Sequence, residues 1–318
     1  MYLVTGGAGF IGSHVAEALV RRGAAVRIFD DFSSGKWANL DGFADRVEVI
    51  EGDLRDMAAV ERAVRGATGV YHQAALRSVP RSVDNPLATN DVNITGTLQL
   101  LLACRDAGVK RVVSASSSSV YGANEELPKR EDQMLLPVSP YAASKLAGEH
   151  YCRIFTHLYG LETVSLRYFN VFGPRQDPES QYAAVVPLFI QAALGGVPLT
   201  VHGDGLQSRD FTYIDNVVQA NLRAMDGPGA AGEALNVACG ARYTLMDIVH
   251  GIERELGCTL TCNHTPPRAG DVRHTLADIS KAERLIGFRP TVGFEEGMAR
   301  TVAHLKKIQQ AASCAPSA

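Results

Sequence analysis

The stretch Thr5-Gly6-Gly7-Ala8-Gly9-Phe10-Ile11-Gly12 constrains this chain most. It follows a strand-type run, Tyr2–Thr5, and opens a helical pattern, Ile11–Arg22, so its glycines fall at a strand-to-helix turn. Gly7-x-Gly9-x-x-Gly12 permits a tight turn, close approach of the backbone to a pyrophosphate, and close helix–strand packing. A pyrophosphate placed there would meet free N–H groups and the positive end of the helix dipole. Asp30 ends the next strand pattern. A carboxylate at that point can hydrogen-bond the adenosine ribose hydroxyls and would repel a 2′-phosphate. NAD is therefore the expected cofactor, and Lys36 nearby keeps NADP as an alternative.

Around this turn, strand and helix patterns alternate. The strands are Tyr2–Thr5, Ala25–Asp30, Val47–Glu51, Gly69–His72, Arg111–Ala115 and Thr163–Tyr168; the helices are Ile11–Arg22, Met57–Val64, Pro86–Ala107 and Tyr141–Tyr159. This rhythm predicts an α/β fold, a Rossmann-type doubly wound parallel sheet covered on both faces. Past about Phe169 the alternation breaks and loops become rich in Gly and Pro. Arg209–Tyr213 and Leu235–Ala238 are expected to return to the main sheet. Val185–Leu194, Thr244–Glu255 and Lys281–Leu285 should supply helices to a smaller lobe. Residues 1–170 then form the dinucleotide domain and 171–310 mainly a substrate lobe, with the site in the cleft between them. The Ala/Ser/Pro stretch 311–318 is expected to be a disordered tail.

Composition narrows the class. The net charge of -3, with no basic block, argues against nucleic-acid or anionic-membrane partners. The most apolar stretch, Ala183 to Val197, contains Pro187 and Gln191 and is too short to span a bilayer. Met1-Tyr2-Leu3-Val4-Thr5 enters a strand directly, with no signal-peptide pattern. Six dispersed cysteines, Cys104, Cys152, Cys239, Cys258, Cys262 and Cys314, read as reduced thiols rather than a disulfide framework. Cys258, Cys262 and His264 have no second ligand pair downstream, so no metal is expected. These features predict a soluble, cytoplasmic protein.

Two further segments carry chemistry. In Ser139-Pro140-Tyr141-Ala142-Ala143-Ser144-Lys145, Tyr141 and Lys145 share one helix face. An ammonium beside a phenol stabilises the phenolate and would lower the Tyr141 pKa, making it a proton acceptor. Gly52-Asp53-Leu54 ends the third strand, where Asp53 suits either the adenine amino group or a helix N-cap. Gln73-Ala74-Ala75 ends the fourth, with side chains small enough for a cofactor to lie along the backbone.

Together with Asn93, Ser116-Ser117-Ser118-Ser119-Val120-Tyr121-Gly122 and Arg167-Tyr168-Phe169-Asn170, these motifs occur in an order that resembles the extended short-chain dehydrogenase/reductase superfamily. Within it the chain is most similar to the UDP-hexose 4-epimerases, from Leu3 to about Leu305. The resemblance implies a catalytic group of Ser117, Tyr141 and Lys145. Tyr141 would take the sugar 4-hydroxyl proton, directly or through Ser117, while NAD accepts the C4 hydride. Lys145 would bind the nicotinamide ribose and, with the cofactor's charge, depress the tyrosine pKa. It assigns cofactor contacts to Gly6, Gly9, Phe10, Ile11, Gly12, Asp30, Asp31, Phe32, Ser33, Ser34, Gly35, Asp53, Leu54, Gln73, Ala74, Ala75, Arg77, Asn93 and Phe169. It assigns the UDP-sugar to Arg77, Ser117, Ser118, Ser119, Asn170, Ala184, Val185, Val201, His202, Arg209, Tyr243, Arg268, Asp271 and Thr275. Arg209 and Arg268 would clamp the diphosphate, Asp271 would take the uridine ribose and Tyr243 would pack on the uracil. The helices Pro86–Ala107 and Tyr141–Tyr159 resemble those that pair as a four-helix bundle in the family's homodimers.

Departures from the pattern discriminate among relatives. Dehydratases carry an Asp-Glu pair where this chain has Ser118-Ser119, and decarboxylases an acid at Ser119; elimination needs such acid/base groups. UDP-glucuronate 4-epimerases place an arginine in the loop matching Gly173–Asp177, where Asp177 would repel a carboxylate. Thr275 replaces a tyrosine that excludes an acetamido group, whereas Arg77 is a glucose-type residue. The expected reaction is C4 epimerisation of UDP-glucose and UDP-N-acetylglucosamine. The alternatives are a UDP-glucuronate 4-epimerase, a dehydratase or decarboxylase, and a non-catalytic NAD-binding regulator.

Overall fold

The strand run Tyr2–Thr5 (β1) becomes the centre of a seven-stranded sheet because both of its faces are apolar. Leu3 packs into one helical layer and Val4 into the other, as do Val112 and Val113 further along. The computed structural model describes residues 1–180, 183–267 and 272–314, with backbone alone for 312–314. Arg268 and Asp271 lie outside the described residues.

In chain order, β1 is followed by α1 (Phe10–Arg21), β2 (Val26–Asp30), β3 (Val47–Glu51), α2 (Met57–Val64) and β4 (Gly69–His72). Then come two short helices, α3 (Val79–Asp84) and α4 (Pro86–Asn90), a π-helical segment (Asp91–Gly96), α5 (Thr97–Asp106), β5 (Arg111–Ser117), α6 (Pro140–Tyr159) and β6 (Glu162–Tyr168). The second half comprises β7 (Val171–Phe172), α7 (Val185–Leu194), β8 (Leu199–His202), β9 (Ser208–Arg209), β10 (Thr212–Tyr213), α8 (Ile214–Asp226) and β11 (Glu233–Val237). It ends with β12 (Tyr243–Thr244), α9 (Leu245–Leu256), β13 (Cys262–Thr265), α10 (Ser280–Ile286) and α11 (Phe294–Cys314). Sheet order is β11-β6-β5-β4-β1-β2-β3, all parallel. The order reverses between β1 and β4, and that topological switch opens a crevice at the carboxyl ends of the strands.

The helix bearing the Tyr-x-x-x-Lys motif is defined at both ends. Ser139 Oγ accepts the Ala142 N–H at 3.1 Å, Pro140 occupies the first turn, and Gly160 ends the helix at φ +69°. The long helix expected over Pro86–Ala107 is instead interrupted by the π-helical segment. Within it Asn93 points back to the loop after β4, taking the Leu76 N–H at 2.8 Å and donating to its carbonyl at 3.0 Å.

The C-terminal half departs further from expectation. Leu235–Ala238 joins the main sheet as β11, but Arg209–Tyr213 does not. Its two ends pair separately, β9 with β12 and β10 with β7. Asp210 between them is the cause: fully buried, it accepts N–H groups from Cys239, Gly240 and Ala277 at 2.9, 3.0 and 3.2 Å, turning the chain out of any straight strand. The helices α8 and α11 were not anticipated, and α11 continues through Cys314 where a disordered tail was expected. α8 hides two asparagines on its buried face: Asn216 donates to the Val292 carbonyl (2.8 Å) and Asn221 to the Tyr168 hydroxyl (2.9 Å). α9 begins in a reciprocal capping box between Thr244 and Asp247. No helix among the described residues is long and apolar enough to cross a membrane.

Asp210→Ala should strip three buried N–H groups of their acceptor and cost about 3 kcal/mol or more. The expected reading is a lower urea midpoint with an unchanged m-value; an unchanged midpoint would refute the role given to Asp210.

Candidate active site

The crevice at the switch point holds a cavity of about 200 Å³. Its wall includes Gly6, Gly9, Phe10, Ile11 and Gly12 from the β1–α1 turn, and Asp30, Asp31, Ser33 and Ser34 after β2. Asp53 and Leu54 follow β3, Gln73, Ala74, Ala75 and Arg77 follow β4, and Tyr141 and Lys145 come from α6. The turn suits an anionic cofactor. A side chain at Gly6 would meet the Ala74 N at 2.6 Å, and its φ of +64° disfavours any Cβ. A methyl at Gly9 would meet only the Gly6 carbonyl, at 3.1 Å, and would otherwise stand in the cavity. Gly9 caps α1 without a side-chain acceptor, so the first-turn N–H groups keep their capacity for an anion.

Asp30 is locked in place. One carboxylate oxygen accepts the Ala8 N–H and the other the Phe32 N–H, both at 2.9 Å. Burial pushes its acid above the ordinary value, opposed by those two bonds. Asp53 is engaged by the Arg55 guanidinium, which holds its carboxyl below the usual range. Four expected cofactor contacts stand off the wall. Phe32 stacks on Trp37 with centroids 4.8 Å apart. Gly35 packs behind Asp30, whose Oδ1 a methyl would meet at 2.7 Å. Phe169 is fully buried against Tyr121, and Asn93 secures Leu76 and the Ser144 hydroxyl. These four shape the site from behind.

Ser117 ends β5, and Tyr141 and Lys145 project from α6 towards it. The pKa of the phenol is raised, by burial above all, with the Ser117 hydroxyl and the Arg77 charge pulling down. The Lys145 ammonium donates to the Ala115 carbonyl at 2.9 Å. Burial lowers the Lys145 pKa to about 8. Ser118 and Ser119 form the 3₁₀ turn after β5, where Ser117 Oγ accepts the Ser119 N–H at 3.2 Å and the Ser119 hydroxyl is buried without a hydrogen-bond partner.

A larger cavity of about 790 Å³ adjoins the C-terminal lobe, lined by Asn170, Ala184, Val185, His202 and Arg209 among apolar side chains. Asn170 donates to the Asp210 carbonyl at 3.0 Å, and His202 is bonded to Thr265 at 2.7 Å. Arg209 reaches the carbonyls of Ser208 and Arg273. Val201 is fully buried in the core rather than on the wall. Tyr243 stacks on Phe294 with centroids 4.0 Å apart, which covers one face of its ring. The Thr275 hydroxyl is buried without a partner.

Sequence reading missed the place of His72 and the ion pairs made by the Gly173–Asp177 loop. His72 lies buried between the hydroxyls of Thr5 (2.7 Å) and Thr97 (2.9 Å) and is kept neutral, its pKa lowered to about 3 by burial and then by Lys145. Asp177 is paired with Lys36 at 2.8 Å and Arg175 with Glu17 at 2.7 Å, tying the Gly173–Asp177 loop to the N-terminal half. The Lys36 charge is thus answered within the protein, which weakens the NADP alternative. No sequence pattern marks these long-range pairs. Among the described residues no group of His, Cys, Asp and Glu side chains converges on a metal site.

Acid should destabilise the fold through its buried histidines. His72 and His14, the latter lowered to about 4 chiefly by burial, bind protons in the unfolded chain near pH 6.5 but not in the folded one. Stability therefore falls as pH drops below about 6.5, by about 1.4 kcal/mol per unit for each histidine. Urea midpoints between pH 7 and 5 should show this fall, and His14→Gln should flatten it; a slope unchanged by that substitution would exclude His14.

The family profile described as NAD dependent epimerase/dehydratase matches residues 2–238. The UDP-glucose 4-epimerase of Mycolicibacterium smegmatis is 39% identical over 312 residues, covering 97% of this chain and 99% of that protein. The crystal structure of the Thermotoga maritima UDP-glucose 4-epimerase with UDP-glucose superposes with a TM-score of 0.92 at 38% identity, over 97% of this chain and 99% of that one. The UDP-N-acetylglucosamine 4-epimerase of Methanobrevibacter ruminantium, in complex with UDP-N-acetylmuramic acid, gives 0.92 at 42% identity over 96% and 98%. Likeness that runs the full length of the chain, in sequence and in fold alike, makes this protein a member of the NAD dependent epimerase/dehydratase family.

Proposed function

We propose that the chain is a UDP-hexose 4-epimerase acting on UDP-glucose/UDP-galactose and on UDP-N-acetylglucosamine/UDP-N-acetylgalactosamine. The observation that carries this is the Tyr141–Lys145 pair on the wall of the dinucleotide cavity, with Ser117 beside the phenol and serines rather than acids at positions 118 and 119. The glycine turn, Asp30, Asp53, the Gln73–Ala75 strand end and Arg77 fit NAD and would hold it. When bound, NAD supplies a hydride acceptor and donor at the sugar C4.

The protein's own groups handle the proton. Tyr141 receives the 4-hydroxyl proton as the sugar is oxidised and returns it on reduction, so acid and base balance over one cycle. Ser117 hydrogen-bonds the phenol and bridges it to the sugar oxygen. Burial raises the Tyr141 pKa, so positive charge at the site is needed to draw the proton off; Lys145 and Arg77 supply it. Both faces of the 4-keto sugar must be presented in turn, so the pocket has to hold UDP firmly and the hexose loosely. Asn170, Ala184, Val185, His202 and Arg209 on the larger cavity suit the UDP, with Arg268 and Asp271 proposed alongside them.

Ser118 and Ser119 lack the acid/base capacity that a lyase needs. Asp177, its acid strengthened by Lys36 and Arg77, keeps a negative charge in the loop where a glucuronate would require a cation. Thr275 leaves space for an acetamido group, and relatives of similar identity bear both substrate names. Val83, Leu87, Ile154 and Leu158 are 61, 75, 44 and 64% exposed on α3, α4 and α6. Covering them in a homodimer, through a four-helix bundle built from α4–α5 and α6 of each copy, removes an apolar patch that a monomer would leave in water.

UDP-galactose incubated with the protein without added NADH should yield its C4 epimer by NMR; a lasting keto-deoxy or pentose product, or no change, would overturn the proposal. Tyr141→Phe should lower turnover by at least about a hundredfold with NAD still bound. Gly9→Ala should instead weaken NAD binding about tenfold or more while the thermal midpoint holds. Good turnover of UDP-glucose with none of UDP-N-acetylglucosamine would refute the argument from Thr275.

A further inference from the structure

One turn beyond Lys145, on the same face of α6, stands Glu149. It is buried together with Arg167 of β6, their side chains 7 and 3% exposed. The Arg167 guanidinium reaches both carboxylate oxygens, at 2.9 and 2.8 Å, and the Ser116 hydroxyl donates to one of them. Ser116 adjoins Ser117. Glu149 and Lys145 both line a small polar cavity of about 10 Å³, with room for little more than one water to screen one charge from the other.

The charges that face Lys145 are few. From its own helix come Tyr141, Glu149 and Cys152; burial pushes the Cys152 thiol up to about 11 and keeps it neutral. From β4 comes His72, also neutral. β5 offers the Ala115 carbonyl and the Ser116 hydroxyl, the π-helical segment and α5 the uncharged Asn93 and Thr97, and β6 the Arg167 cation behind Glu149. Beyond Tyr141 stands Arg77. Among the described residues Glu149 is thus the one anion set against two cations, Lys145 and Arg167, beside a cavity that admits little water.

We propose that Glu149 is a positioning residue for the reaction, the buried counter-charge that keeps Lys145 an ammonium at working pH while Arg167 holds the carboxylate in place. The proposal rests on the reading of Tyr141 and Lys145 given above. A purely structural ion pair would fasten α6 to the sheet without regard to the proton on Lys145. A counter-charge makes the two inseparable: with Glu149 neutral, the buried cations Lys145 and Arg167 are left without their shared anion, and Lys145 is the one able to give up its proton.

The test reads the lysine directly and needs no turnover. In ¹³Cε-lysine spectra of the protein as purified, the seven lysines of the chain are few enough to resolve, and Lys145→Arg assigns the signal. Lys145 should titrate near pH 8. Glu149→Gln should lower that midpoint by about one unit, a tenfold change in its ionisation constant. The double change Glu149→Gln with Arg167→Met removes one charge of each sign and should bring the midpoint most of the way back. A midpoint that does not move in Glu149→Gln, even with stability lost, would overturn the proposal, as would a double variant shifted as far as the single one. In an active preparation the alkaline limb of kcat/KM should move down with the lysine. Absence of epimerase turnover would sink the functional reading while leaving the titration interpretable, so the two failures are distinguishable.

Discussion

The close approach of backbone to backbone at the β1–α1 turn is the constraint on which the rest depends. Gly6 lies so near Gln73 and Ala74 that a methyl group has no room, and Gly12 packs directly over Gly6. That contact lets α1 start hard against the sheet, with its uncapped end facing the gap between β1 and β4. Parallel pairing of β1 with β2 on one side and β4 on the other then sends the following loops apart, and the crevice is the space they leave. Groups at several strand ends, Asp30, Asp53, Gln73 and Ser117, meet there because all the strands point the same way.

The second half shares one apolar core with this frame, in which Val15 and Leu19 of α1 and Val217 and Leu222 of α8 belong to the same buried cluster, and polar contacts add to it. Arg175 takes Glu17 of α1, Asp177 takes Lys36, and Asn221 of α8 binds the Tyr168 hydroxyl. Asp210 gathers three N–H groups and so shapes the wall on which Asn170 and Arg209 stand. Ion pairs that are partly exposed contribute little each, but these join segments far apart in sequence.

Much of the N-terminal half was legible, for identifiable reasons. Strands buried on both faces read as unbroken apolar runs, glycines mark a turn no other residue fits, and Ser139-Pro140 announces a helix start. The C-terminal half was less so. Asn216 and Asn221 break the apolar stripe of α8 although both are buried, because their partners come from distant segments. Arg209–Tyr213 reads as a strand, yet the buried carboxylate in its middle bends it into two separate pairings. Tyr243 looks like a stacking platform until Phe294, fifty-one positions on, covers one face of its ring.

The sequence by itself determined the nucleotide turn, the parallel α/β order and the identity of the reactive side chains, since each follows from local sterics or short-range spacing. Tertiary structure decided their chemical state. Burial, which no local pattern records, raises the phenol of Tyr141 and lowers the ammonium of Lys145. Which charge answers which, Arg167 with Glu149 and Lys36 with Asp177, depends on strands and loops brought together from far along the chain. Electrostatic energies in a poorly hydrated interior depend on distance and burial, and both exist only once the chain has folded.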